Sequence, residues 1–77
     1  MIDPADMKKV YVALDGQRGT AELTKATGFD RHQVWAIILK LVAMGMAKIN
    51  AAYLYEQAGK FDAATVIEYQ THKKVSE

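Results

Sequence analysis

The chain is 77 residues long, 51% hydrophobic and 25% charged, with a net charge of +1 and no cysteine. That length holds one domain, residues 1–77, and the balance excludes a disordered chain, a disulfide scaffold and a cysteine-based zinc site. Near-neutral charge also excludes a chain that attracts polyanions through bulk charge alone.

The opening MIDPADMKK starts acidic and lacks an apolar run, so no secretion signal is visible and a cytoplasmic protein is expected. A first helix is predicted over about 4–15. Asp3 can cap it, Pro4 suits the first helical position, and Met7, Val10, Tyr11 and Leu14 recur at helical spacing as one buried stripe. Asp15-Gly16 is the expected stop, and QRG reads as a loop. A second, short helix is predicted over about 20–27, with Thr20 as its cap and Glu22 in its first turn. Leu23 and either Ala26 or Thr27 should face inward. Gly28 is the expected left-handed residue after it, and Phe29 should plug the core.

A third helix is predicted over about 30–45. Asp30 and Gln33 form a D-x-x-Q capping pattern, Val34, Ile37, Ile38 and Leu41 make an inward stripe, and Gly45 ends it. The longest apolar run, Val34 to Ala47, is interrupted by Lys40 and is too short to span a bilayer, so no membrane partner is expected. A small hairpin is predicted over about 46–57, where Lys48 and Asn50 alternate with Ala47 and Ile49, and Tyr53 and Tyr55 with Leu54 and Glu56. The C-terminal segment, about 58–74, admits two readings. Asp62 can cap a helix carrying Ala63, Val66, Ile67 and Gln70 on one face, whereas the β-branched ATVIEYQT suits a strand. The helix is preferred.

A short helix, a glycine-containing turn, a longer helix and a hairpin together resemble a winged helix-turn-helix. Thr20 to Leu39 carries the likeness: Leu23 at the first apolar position, Gly28 in the turn, Phe29 after it, and Val34 and Ile37 as the apolar pair of the second helix. Beyond it, the run V-x-x-x-I-x-x-L-x-x-x-G-M-A-K-I is similar to the path into the wing in MarR- and ArsR-like regulators. YLYEQAGKF is similar to the stretch that leaves that wing. Thr24 departs from the pattern, which prefers alanine there. The resemblance implies an α+β, mostly helical fold: a three-helix core, a short β-hairpin wing and a C-terminal helix. It also implies a small transcriptional regulator that places its third helix in the major groove of double-stranded DNA, works as a homodimer and needs no cofactor.

Setting Val34 and Leu41 inward turns His32, Ala36, Leu39 and Ala43 outward, with Gln33 and Lys40 on one flank and Arg31 and Trp35 on the other. Arg31, His32, Gln33 and Ala36 are the candidate base contacts: guanidinium for guanine, carboxamide for adenine, a methyl for thymine. Thr20, Lys25, Lys40, Lys48 and Asn50 are the candidate backbone contacts. The segment from Gly16 to Tyr53 holds five basic residues against two acidic ones, so the positive excess falls there. Each of these residues also reads as an ordinary solvated side chain, and Gln33 as a capping partner only. Trp35 is expected to pack against the hairpin, the first helix or a second copy. Tyr11, Tyr69 and Val75 offer surface for a dimer, whereas Lys8-Lys9 and Lys73-Lys74 read as solvated faces. The small apolar outward surface of the third helix keeps a second reading open, a protein-interaction module using that face or the C-terminal segment. No enzyme is expected. There is no Gly-rich phosphate loop, no paired nucleophile and base, and no metal-ligand set around His32 or His72.

Overall fold

The computed structural model describes residues 2–72, as four helices and one antiparallel hairpin. In chain order these are α1 (Pro4–Ala13), α2 (Thr20–Thr27), α3 (Arg31–Ala43), β1 (Ala47–Ile49), β2 (Tyr55–Gln57) and α4 (Ala63–His72). The architecture is α+β and mostly helical. Lys73, Lys74 and Val75 lie outside the described residues.

α1 begins as its residues dictate. Asp3 accepts from the Ala5 N–H at 2.9 Å, and Pro4 occupies the first helical position. The helix ends at Ala13, short of the expected Asp15-Gly16 stop. Leu14 turns to extended backbone yet keeps its side chain buried, and Arg18 closes the end from outside. Its Nη1 donates to the Ala13 carbonyl at 2.8 Å, a cation where the helix dipole is negative.

α2 is capped by Gly19, not by Thr20, which is its first helical residue. The Glu22 carboxylate reaches back and accepts the Gly19 N–H at 2.9 Å, which makes a side-chain cap at Thr20 unnecessary. Leu23 and Thr27 are buried and Ala26 is exposed. The Thr27 hydroxyl donates to the Leu23 carbonyl at 2.7 Å, so this buried polar group is paired. Thr24 fits for the same reason, donating to the Thr20 carbonyl at 2.9 Å. Gly28 then takes φ +80°, which only glycine adopts at little cost.

In α3 the Asp30 carboxylate accepts the Gln33 N–H at 2.9 Å, and Val34, Ile37, Ile38 and Leu41 are all buried. The helix ends at Ala43, before Gly45. The Gly45 and Met46 N–H groups fold back onto the Val42 and Leu41 carbonyls at 3.0 and 2.8 Å, with Gly45 left-handed and Met46 buried. This closure satisfies the last carbonyls and aims the chain into β1. Phe29 packs against the edge of the core, half-buried, and the Lys9 ammonium sits 5.2 Å from its ring centre.

The hairpin pairs Ala47 with Gln57, Lys48 with Glu56 and Ile49 with Tyr55. Expected alternation holds for Ala47, which is buried next to α3, and lapses farther out, where Ile49 and Tyr53 are exposed. The sheet is also wider than the sequence reading allows. The Tyr55 N–H donates to Arg18 at 3.0 Å and the Gly16 N–H donates to Tyr55 at 2.9 Å, so the QRG segment is an edge partner of β2, not a free loop.

The C-terminal segment is a helix. Asp62 accepts from the Ala64 N–H and the Thr65 hydroxyl at its start, at 3.2 and 2.7 Å. Val66 is buried and Gln70 half-buried, but Ala63 and Ile67 are exposed, so the inward face is narrower than expected. The Gln70 carboxamide holds both backbone groups of Ile2, accepting its N–H at 2.8 Å and donating to its carbonyl at 2.9 Å. Tyr11 does a similar task for α1. Its hydroxyl donates to Gly59 at 2.6 Å and its ring lies 5.5 Å from that of Phe61. One core joins Met7, Val10, Leu14, Leu23, the four inward residues of α3, Met46, Ala47 and Val66.

Candidate nucleic-acid interface

The buried stripe of α3 fixes which side chains it presents. His32, Leu39 and Ala43 are exposed as expected, but Ala36 is half-buried, as are Gln33 and Lys40 on its flank. The open arc has turned toward the opposite flank, where Arg31, Trp35 and Val42 stand out. Gln33 and Ala36 are therefore the recessed members of the four candidate base contacts, and Arg31 and His32 the presented ones.

The start of α3 sits beside the start of α2. Thr20, Arg31, His32 and Trp35 line an open hollow of about 360 Å³. Among the described residues no hydrogen bond or ion pair engages the side chains of Arg31 or His32. Trp35 is 47% exposed, which is high for the largest side chain on a helix whose opposite face is fully buried. It lies one turn beyond Arg31, and that i, i+4 spacing is the signal that could have placed it there, where the sequence reading expected a packing residue. Lys25 is exposed on α2 with no ion-pair partner among the described residues.

The hairpin contributes differently from expectation. Lys48 Nζ lies 3.3 Å from Glu56 Oε2 across the strands. Asn50 is engaged on every side: its amide donates to Gly16 and to Glu56 at 2.8 and 3.2 Å, and its oxygen accepts from Ala52 and Leu54 at 2.9 and 3.2 Å. Its side chain builds the hairpin turn. The Asn50 hydrogen bond, and then Lys48, hold the Glu56 carboxyl below the usual carboxylate range. The hairpin residue that does stand free in space is Tyr53, 80% exposed at the tip with φ +62°. A tyrosine in left-handed backbone is uncommon and strained, and sequence periodicity carries no sign of it.

Comparison with protein-family models, curated proteins and solved structures gives no match for this chain. No helix among the described residues is long and apolar enough to cross a membrane.

Proposed function

We propose that this chain is a winged helix-turn-helix domain that binds duplex DNA as a small cytoplasmic transcriptional regulator, with α3 in the major groove and the hairpin as its wing. The observation that supports this reading best is the junction of α2 and α3. The Gly28 turn leaves Arg31 and His32 without a hydrogen bond or ion pair among the described residues, on an open surface beside Thr20. An unpaired guanidinium on that surface reads a guanine edge or a phosphate. Lys25 and Lys40 add backbone contacts, and Lys48 adds one when it leaves Glu56. Tyr53 is the wing-tip contact. The charge is modest, so two copies reading two half-sites give the affinity that one lacks. Their interface falls on the exposed Val12 of α1 and Ile67 of α4, since Tyr11 is engaged within the chain. The double substitution Arg31→Ala, His32→Ala tests the reading. It should lower duplex affinity at least tenfold in an anisotropy titration while leaving thermal stability unchanged.

A second reading has its own observation. Trp35, Leu39 and Val42 are 47%, 51% and 45% exposed and follow one another along α3, an apolar stripe that also suits a protein partner. Leu39→Asp separates the two. Under the protein-interaction reading it removes partner binding, and under the DNA reading it changes affinity far less than loss of Arg31 and His32.

A further inference from the structure

The hollow between α2 and α3 has a chemistry that general DNA binding does not explain. Phosphate contacts need donors and charge, yet one wall of this hollow is Trp35, with Thr20 beside it. Arg31 and His32 supply the polar groups. An indole with about half its surface in water, beside an unpaired guanidinium, is costly to leave uncovered and is built to receive something apolar with a polar neighbour.

The position of the hollow says what that is. Under the DNA-binding reading it lies beside the residues that meet base edges, the first turn of α3, on the side of the helix that faces α2. In the major groove the group that projects on the backbone side of a base edge is the C5 substituent of a pyrimidine. Thymine carries a methyl there, and apolar contact with that methyl is the only non-polar signal the groove offers. We infer that the Thr20–Arg31–His32–Trp35 hollow is a C5-methylpyrimidine site: the methyl packs on the Trp35 indole while Arg31 pairs with O6 and N7 of a guanine in the adjacent base pair. The site thus selects a methylated pyrimidine next to guanine. This inference rests on the DNA-binding reading. Thymine and 5-methylcytosine present the same methyl and differ in the groups beside it.

The test starts with selection of bound duplexes from a random-core library. The enriched site is then synthesised with each thymine replaced singly by uracil, which removes only the methyl. One position should lose affinity about fourfold, the effect of burying a single methyl, and the loss should disappear in Trp35→Ala. At that position, a 5-methylcytosine·guanine pair should bind about fourfold tighter than a cytosine·guanine pair if the site reads the methyl alone. Equal binding of those two pairs restricts the site to thymine. If the protein binds the enriched duplex but every uracil replacement is tolerated, the methyl site is wrong and DNA binding stands. If no duplex is enriched or bound, the DNA reading fails and takes the methyl site with it. The uracil series uses the unaltered protein, so it does not depend on how Trp35→Ala folds.

Discussion

Asn50 shows how a single residue changes role between sequence and structure. In the sequence it is a polar residue on a hairpin, suited to a DNA backbone. In the fold its four hydrogen bonds bind Gly16, the hairpin turn and Glu56 together. The contacts at Gly16 and Glu56 span 34 and 6 residues, and no local pattern encodes the longer one. Glu56 makes this network pH-sensitive. Its folded pKa lies below the unfolded one, so it stabilises the fold above the usual carboxylate range and that stabilisation is lost as pH falls through the folded value. Chemical denaturation of Glu56→Gln should therefore show a deficit at neutral pH that closes in acid. Tyr53 carries the opposite trade. Tyr53→Gly relieves left-handed backbone and should raise stability by about 1 kcal/mol, while weakening duplex affinity if the ring is the wing contact. Thermal melting and anisotropy on the same sample check both halves.

At the scale of elements, helices were legible where a stripe and a cap coincide. Asp30 and the Val34–Leu41 stripe placed α3, and Asp62 placed α4 against the β preference of its residues. Asp30→Ala should cost about 1 kcal/mol in urea denaturation, the usual effect of losing a side-chain N-cap. The ends were less legible because they depend on partners elsewhere. α1 stops early and Arg18 reaches its last carbonyl, and α2 spans the expected residues but takes Gly19 in place of Thr20 as its cap, with Glu22 reaching back. The outward face of α3 was legible only in part. A 100° wheel gives it His32, Ala36, Leu39 and Ala43, but packing of the remaining chain half-buries Gln33, Ala36 and Lys40, and the open arc extends instead to Arg31, Trp35 and Val42. Trp35, expected to pack, instead lines the open hollow beside Arg31.

For the molecule as a whole, the stripes named nearly all of the core, and the chain-distant ties were invisible. Gln70 clamps Ile2 across 68 residues, and Tyr11 reaches Gly59 across 48. Gln70→Ala should loosen α4 and lower stability by about 1–2 kcal/mol, with faster amide exchange in α4 than in α3. Function is a whole-molecule property too, because a net charge of +1 supports DNA binding only if the free cations share one face. Under the proposed reading Arg31 and Lys25, both exposed, lead that set, and the half-buried Lys40 supports it from the recessed flank of α3.

The most direct measurement of that claim is a titration of labelled mixed-sequence duplex with the protein at several salt concentrations, following anisotropy together with Trp35 fluorescence. Three phosphate contacts per copy give a slope of about −2.7 in log affinity against log salt, roughly doubled for a dimer on two half-sites. A steep slope of that size with a change in Trp35 emission is the expected result. Binding that ignores salt, or no binding at tens of micromolar protein in low salt, contradicts DNA recognition and leaves the apolar stripe of α3 to a protein partner.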